Sequence, residues 1–343
     1  MAIAAAMKPV VSICIANYNG IPIISSCLES VFAQLGDIPI EIIVHDDAST
    51  DDSVEYLCKN YGNINLIASN ENVGFCIANN RMAAQAKGDY LLLLNNDATL
   101  FPDAIASLLA KAQEMDAPAI MGLPQYNADN GELLDMGSML DPFMNPIPNL
   151  DPERTDVGMI MGACLWIPKN LWVELGGFPE WFGSIGEDLY LCCRARLAGY
   201  GVVALNHSGY HHWVGYSFGG GKITSNGQLR TTVYRRALTE RNKTYTMIVC
   251  YPPILLLMLL PVHLCLIYLE GLILAAAKLR REIFTAIYMP LTSSIWQKRR
   301  LLLSCRKTVQ KNKRVSLAVW LSAFAFFPYK LRLLLKYPLP EIQ

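Results

Sequence analysis

The residues best placed to do chemistry are polar ones that end apolar runs. Residues 88–100 read GDYLLLLNNDATL, in which a short buried-type run, 90–94, stops at Asn95, Asn96 and Asp97. So short a run, bounded by Gly88-Asp89 and Phe101-Pro102, suits a central parallel strand covered on both faces. Open α/β sheets bind ligands at the carboxyl ends of their strands, so Asp97 stands where the cation of a phosphorylated ligand would be held. The alternative is that Asn-Asp only turns the chain or caps the next helix. A second block, His45-Asp46-Asp47-Ala48-Ser49-Thr50-Asp51-Asp52, comes straight off another apolar run, residues 40–44. Ser49 and Asp52 have the spacing of a helix cap, which offers Asp51 and Asp52 a structural job and leaves Asp46 and Asp47 without one.

Two further groups lie downstream. Gly186-Glu187-Asp188 opens a helical pattern, with Ser184 and Glu187 spaced as a capping box and Trp181 and Phe182 just before it. Glu187 is explained as a cap; Asp188 has no role beyond the general preference of helix starts for acids. Three of the five histidines, His207, His211 and His212, fall within six residues. They read either as imidazoles bonded to backbone in a polar loop or as contacts to a metal or diphosphate.

The elements that must carry these groups follow in order. Runs at 10–16, 40–44, 64–68, 89–94 and 119–123 read as strands, and 23–34, 53–61, 75–86 and 103–115 as helices between them. Strand-helix units repeating in this way, with polar residues at the strand ends, predict a nucleotide-type α/β fold with a central, mostly parallel sheet. Residues 124–156, rich in Asp, Asn, Pro and Gly, read as a mobile loop over the site. Regular structure resumes with a strand at 158–168, a short helix at 171–175, a helix from about 185 to 198 and a strand at 202–206.

A chain of 343 residues can hold one α/β domain of about 240 residues and an appendage. Its net charge of zero hides a division: residues 1–277 hold 15 Lys+Arg against 27 Asp+Glu, and residues 278–343 hold 14 against 2. The acidic part cannot hold a polyanion by bulk charge, so a nucleic-acid partner is not expected and a phosphorylated ligand there needs a metal or local donors. The basic part suits anionic lipid. Ten cysteines, none in a CxxC pair and most inside apolar runs, read as small core residues of a reducing compartment. Residues 1–7 are too short for a signal peptide, so the first domain is expected in the cytoplasm.

Residues 248–277 are nearly uncharged, carrying only His263 and Glu270, and are interrupted by Pro252, Pro253 and Pro261. At roughly 20 apolar residues per span they would cross a membrane once, but that puts the basic tail on the side opposite the first domain, against the bias of Lys and Arg. A second crossing at 315–327 would expose the basic clusters outside. A monotopic arrangement is more consistent: apolar segments dip into one leaflet, flanked by Lys298-Arg299-Arg300, Arg306-Lys307 and residues 311–314. The alternative is a buried helical subdomain or oligomer contact. The expected division is therefore 1–245, an α/β domain, and 246–343, a helical membrane-associated region at the cytoplasmic face.

Taken together, Tyr18-Asn19, the block at 46–51, Asn72-Val73-Gly74 with Asn80, Leu94-Asn95-Asn96-Asp97 and Gly186-Glu187-Asp188 resemble the family 2 glycosyltransferases of GT-A fold, with rhamnosyltransferase-like enzymes of bacterial surface glycan assembly the nearest likeness. The likeness spans about residues 8–245. It implies that Asp46 hydrogen-bonds the pyrimidine ring of a nucleotide sugar, that Tyr18 and Arg81 line the base pocket, and that Asn80 and Asn96 lie along the donor. Asp97 matches the last carboxylate of the DxD motif, a ligand of Mg²⁺ or Mn²⁺; Asn95 replaces the first, so the strand carries half of the usual acidic pair. Asp188 matches the general base, with Trp181 and Glu187 on the acceptor side. His211 or His212, with Ser217 following, resembles a His-x-x-x-x-Ser pattern near the metal-bound leaving diphosphate, and Arg241-Asn242-Lys243 resembles a stretch preceding the membrane segments of such enzymes.

The implied reaction is an inverting, metal-dependent transfer of one sugar from a nucleotide-diphosphate sugar to a hydroxyl of a glycan or lipid-linked saccharide. A processive polysaccharide synthase is the first rival, but it would be expected to carry a Gln-x-x-Arg-Trp block, which Gln228-Leu229-Arg230-Thr231 does not supply. A sugar nucleotidyltransferase would be expected to carry a Gly-rich loop where Asn17-Tyr18-Asn19-Gly20 stands. Asp97 and Asp188 together argue against a non-catalytic scaffold.

Overall fold

The computed structural model describes residues 8–215, 220–223 and 229–343. The chain runs β1 (Val11–Asn17), α1 (Ile24–Phe32), β2 (Ile40–Asp46), α2 (Ser53–Asn60), β3 (Asn65–Ala68), α3 (Phe75–Gln85), β4 (Tyr90–Asn95), β5 (Ala98–Leu100), α4 (Ala104–Glu114) and β6 (Ala119–Gly122). Short strands β7 (Gln125–Asn127), β8 (Leu133–Asp135), β9 (Ser138–Leu140) and β10 (Pro146–Pro148) precede β11 (Cys164–Pro168), α5 (Lys169–Leu175), a 3₁₀ turn (Glu180–Phe182), α6 (Glu187–Leu197), β12 (Gly201–Ala204) and β13 (Tyr210–His212). After β14 (Gly220–Ile223) and β15 (Leu229–Thr231) come α7 (Val233–Cys250), α8 (Pro253–Ala277), α9 (Arg281–Ile283), a π-helical turn (Phe284–Tyr288), α10 (Pro290–Lys311), α11 (Leu317–Leu321), α12 (Tyr329–Lys336) and β16 (Glu341–Ile342).

Seven strands form the main sheet in the order β12-β6-β11-β4-β1-β2-β3, parallel throughout except for β11. Alternation along the strands feeds two cores. Val11, Ile13, Ile15, Leu92 and Leu94 pack with α1 and α4, while Cys14, Leu91 and Leu93 pack with α3, α5, α6 and α7. Both faces are covered, which is why the central strands are apolar without interruption.

Register gathers the polar strand ends at one edge. Asn17 lies opposite Asp46, and Ala16 opposite Asn95. Because β11 is antiparallel and sets Cys164 opposite Leu94, the segment entering β11 reaches the same edge.

Three expectations do not hold in the fold. Residues 124–156 are not irregular throughout: they carry β7 to β10, with Asp135 accepting from the Asn149 N–H at 2.9 Å and the Ser138 hydroxyl at 2.7 Å. Asp141 likewise accepts from the Asn145 side-chain amide and the Tyr329 N–H, each at 2.8 Å. The Asp and Asn residues that suggest turns are bonded to one another and to the C-terminal region. The capping box is not formed, because Ile185 (φ 66°) and Gly186 (φ 85°) bring the chain into α6 left-handed, with no side-chain cap bond. The Ser49 hydroxyl does not cap α2 either; it donates to Asp46 at 2.7 Å.

The division expected at 245/246 falls inside α7, which is one continuous helix. On α8, His263 pairs with the Thr244 hydroxyl at 2.9 Å and Glu270 with Lys330 at 2.7 Å. The stretch 315–327 is helical only over Leu317–Leu321, and its Trp320 and Phe324 pack on Tyr251. Among the described residues one helix, α8, is long and apolar enough to cross a membrane, with a mean hydropathy of 2.1 and 17% of that window buried.

Candidate active site

The ends of β2, β1 and β4 are joined in one polar row. Asn17 donates from Nδ2 to Asp46 Oδ2 at 2.8 Å, and its Oδ1 accepts from Asn96 Nδ2 at 2.8 Å. A Cβ on Gly20 would come within 2.1 Å of Asn17 Oδ1 and 2.3 Å of Asn96 Nδ2, so glycine is what lets the turn after β1 close over this row. Asp46, fully buried, also accepts from the Ser49 N–H at 2.9 Å and the Ser49 hydroxyl, which leaves it about one of its four lone-pair sites for a ligand. Asp47 accepts from the N–H groups of Val73 and Gly74 at 2.7 and 2.9 Å, so its role is to fix the turn that starts α3.

Tyr18 is half exposed beside this row. Arg81 donates to the Ser69 hydroxyl at 3.2 Å. Asn80, expected along the donor, is turned elsewhere: its Oδ1 accepts from the Phe178 N–H at 3.0 Å and its Nδ2 donates to the Phe178 carbonyl at 3.0 Å. Both ends of that amide are used to hold the turn before Glu180.

Asp97 follows β4, and β5 then pairs with β13 so that His212 lies opposite Ala98. His212 Nε2 stands 3.1 Å from Asp97 Oδ1, and both residues are buried. Its Nδ1 is 3.2 Å from Gln125 Nε2, while the Tyr210 hydroxyl donates to Gln125 Oε1 at 2.9 Å. With Gln125 oriented by Tyr210, its amide donates to Nδ1, so the network assigns the ring proton to Nε2, donated to Asp97. His212, expected at a metal, thus lies directly against the carboxylate expected to hold that metal. His211 points to the other face of β13, as alternation requires, and packs on Phe101 at 5.1 Å between ring centres. It is therefore not beside Asp97, and Ser217 lies outside the described residues.

Among the described residues no three His, Cys, Asp or Glu side chains gather into a metal cage. The chemistry of the donor set still fits one kind of ion. Mg²⁺ is typically held by one or two carboxylates plus substrate phosphates and water, and Asp97 supplies such a carboxylate.

The second acidic centre reaches the same edge. The Asn95 N–H donates to the Ala163 carbonyl at 2.9 Å, and the neighbouring Gly162 N–H donates to Asp188 Oδ2 at 3.0 Å. Asp188 Oδ1 accepts from the Leu189 N–H at 2.7 Å. Burial raises the Asp188 carboxyl above its usual range, against these N–H donors and the charge of Arg235. Glu187 is buried with no hydrogen-bond partner on Oε2, and burial, helped by the charge of Asp188, pushes its carboxyl up to about 8. Two adjacent carboxylates in one dry pocket do not both ionise readily, so Glu187 keeps its proton near neutral pH. Arg235, at the start of α7, is the cation whose field reaches both acids. Sequence reasoning missed it, since one arginine opening a basic helix carries no distinctive signal. Trp181 packs against Phe182 and Tyr245, with ring centres 4.7 and 5.4 Å apart, and forms an aromatic wall against Tyr190 of the acid-bearing helix α6.

The arrangement sets a polar row, a carboxylate with an imidazole against it, and a buried acid pair along a single sheet edge. The profile described as glycosyl transferase family 2 matches residues 12–170. An N-acetylglucosaminyl-diphospho-decaprenol L-rhamnosyltransferase of Mycobacterium tuberculosis is 25% identical over 207 residues, 50% of this chain and 67% of that protein. A chondroitin synthase of Pasteurella multocida is 37% identical over 187 residues, 53% of this chain and 18% of that one. Among solved structures, a mannosyltransferase from Pyrobaculum calidifontis in complex with GDP-Man and Mn²⁺ aligns with a TM-score of 0.51 and 18% identity, over 89% of this chain and 88% of that one. S. aureus TarS 1-349 in complex with UDP-GlcNAc aligns with a TM-score of 0.51 and 16% identity, over 89% of each chain. At these identities the structural likeness establishes the fold: a mixed α/β architecture of the GT-A kind.

Proposed function

We propose that this chain, a glycosyltransferase whose residues 12–170 match the glycosyl transferase family 2 profile, moves one sugar, with inversion, from a nucleotide-diphosphate sugar to a hydroxyl of a glycan or lipid-linked saccharide. The observation that carries this reading is the convergence of Asp46, the Asp97–His212 pair and Asp188 on one sheet edge. Asp46 and the exposed ring of Tyr18 take the base. Asp97, with His212 against it, would hold a divalent cation. When bound, that Mg²⁺ or Mn²⁺ neutralises the charge developing on the leaving diphosphate.

The chain's own groups supply the rest. The acceptor oxygen attacks the anomeric carbon from the side opposite the diphosphate, the bond to the diphosphate oxygen breaks, and the acceptor proton passes to Asp188. Proton transfer to a placed base contributes typically about 10² to 10⁴-fold. The raised proton affinity of Asp188 suits it to that task, while the N–H groups of Gly162 and Leu189 and the charge of Arg235 favour its ionised form. Protonated Glu187 offers a hydrogen bond toward the acceptor, beside the Trp181 wall.

The acceptor is met at a membrane. Ile254, Leu257, Met258 and Leu269 on α8 are exposed, as are Phe326 and Leu335, and Lys298, Arg299, Arg300 and Lys307 lie on α10. Such a surface suits the cytoplasmic face of an anionic leaflet, entered from one side. The printed name of the mycobacterial relative, a transferase acting on a diphospho-decaprenol, supports a lipid-linked acceptor.

Screening UDP-, GDP- and dTDP-sugars by thermal melting tests the donor site, because a ligand that binds only the native state raises its apparent stability. One class of donor should raise Tm with Mn²⁺ present and lose that increment in Asp97→Ala. No metal-dependent shift with any donor would refute the proposal. Carbonate washing of membranes from expressing cells checks the attachment; complete release would contradict it.

A further inference from the structure

α7 turns one face toward the acid-bearing helix. Arg241 donates from Nη2 to the Phe182 carbonyl at 2.8 Å, and Tyr245 packs on the Trp181 and Phe182 rings. Asn242, fully buried, lies between them. Its single Nδ2 faces the carbonyls of Phe182 at 3.3 Å, Ser184 at 2.9 Å and Ile185 at 2.7 Å.

Those carbonyls belong to a turn the backbone does not favour by itself. Gly183, Ile185 and Gly186 have φ of 76°, 66° and 85°. Glycine accepts such angles, but a β-branched isoleucine does so only when its surroundings impose them. Asn242 is what grips that turn, and Glu187 and Asp188 follow it directly. A group acting in proton transfer must be held to a fraction of an ångström, because a misplacement of about 1 Å can cost about 10²-fold.

We propose that Asn242 is a positioning residue of the transfer reaction: its amide holds the left-handed turn at 183–186 so that Asp188 meets the acceptor hydroxyl. This rests on Asp188 being the base, and the two claims can be tested separately.

Steady-state kinetics on the full chain would compare Asn242→Ala, Asn242→Ser and Asp188→Asn, with donor-dependent melting in Mn²⁺ as the control. Asn242→Ala is expected to lower kcat about 10²-fold while donor KM and the donor-induced rise in Tm stay within about twofold of wild type. Asn242→Ser, which keeps one donor for one carbonyl, should recover part of kcat. Unchanged kcat in Asn242→Ala, or equal loss of kcat and donor binding, would overturn the proposal. If the alanine variant does not fold, the serine variant decides: native melting with wild-type kcat overturns the role. Full activity of Asp188→Asn would instead remove the base assignment, whatever Asn242 does.

Discussion

Two buried clusters of charge lie within a few turns of one another and are built on opposite principles. In the C-terminal cluster every acid is met by cations: Glu240 pairs with Lys243 at 2.7 Å, Lys330 at 2.6 Å and Arg236 at 3.3 Å, and Glu270 pairs with Lys330 at 2.7 Å and with Arg236. Its cations, led by Lys243, hold Glu240 well below the usual carboxylate range despite burial. At the sheet edge, Glu187 has a carboxylate oxygen with no partner, and Asp188 leans on two backbone N–H groups and the field of one arginine. The first cluster clamps α8 and α12 to α7. The second keeps proton-binding capacity unspent, as a site that must exchange a proton requires. α7 contributes to both, with Arg235 facing the acid pair and Arg236 facing the clamp.

The contrast makes opposite predictions for removing one acid. Glu240→Ala would leave buried Lys243 without its acid and take from Arg236 and Lys330 one of their two acids, and should cost about 3–5 kcal/mol, read as a lower denaturant midpoint. A loss under about 1 kcal/mol would mean that the cluster is solvated and clamps nothing. Glu187→Gln should do the reverse. The folded-state carboxyl is raised, so its contribution is fully present below the unfolded value of 4.5 and is lost as pH rises through about 8. Wild type should therefore fall behind the glutamine variant progressively across that window, by on the order of 5 kcal/mol at its upper end. Parallel stability curves from pH 4 to 9 would contradict the protonated Glu187. The smallest effect concerns the third acid. His212→Ala leaves Asp97 in place but unaimed, and Mn²⁺-dependent donor affinity should weaken roughly 10-fold, the low end for a group that orients a metal ligand. An unchanged Mn²⁺ titration would show that His212 only packs.

Much of the fold was legible because its causes are local. Apolar runs of strand length alternating with helical ones fix a parallel sheet, and the polar ends of β1, β2 and β4 necessarily share an edge once the strands are parallel. Asp46, Asp97 and Asp188 could thus be picked out as acids ending strands or opening a helix. What stayed hidden depends on pairing over long separations. Residues 124–156 read as loop because Asp and Asn form turns, yet Asp135 and Asp141 find partners only after folding. Glu187 read as a cap because spacing cannot reveal that Ile185 and Gly186 are left-handed. Asn80 read as part of the donor site, and nothing near it in sequence announces the Phe178 backbone, 98 residues away. The two histidines of β13 could be separated only when the strand was paired and its alternation known.

Asp188, as the lone base of the acceptor side, is the centre of the proposed reaction. The direct measurement is the rate of sugar transfer by Asp188→Asn at saturating donor, acceptor and Mn²⁺, beside its donor-induced rise in Tm. The predicted result is a fall of at least about 10²-fold in kcat, the lower bound for loss of a general base, with the Tm increment retained. An asparagine variant that transfers at the wild-type rate would contradict it.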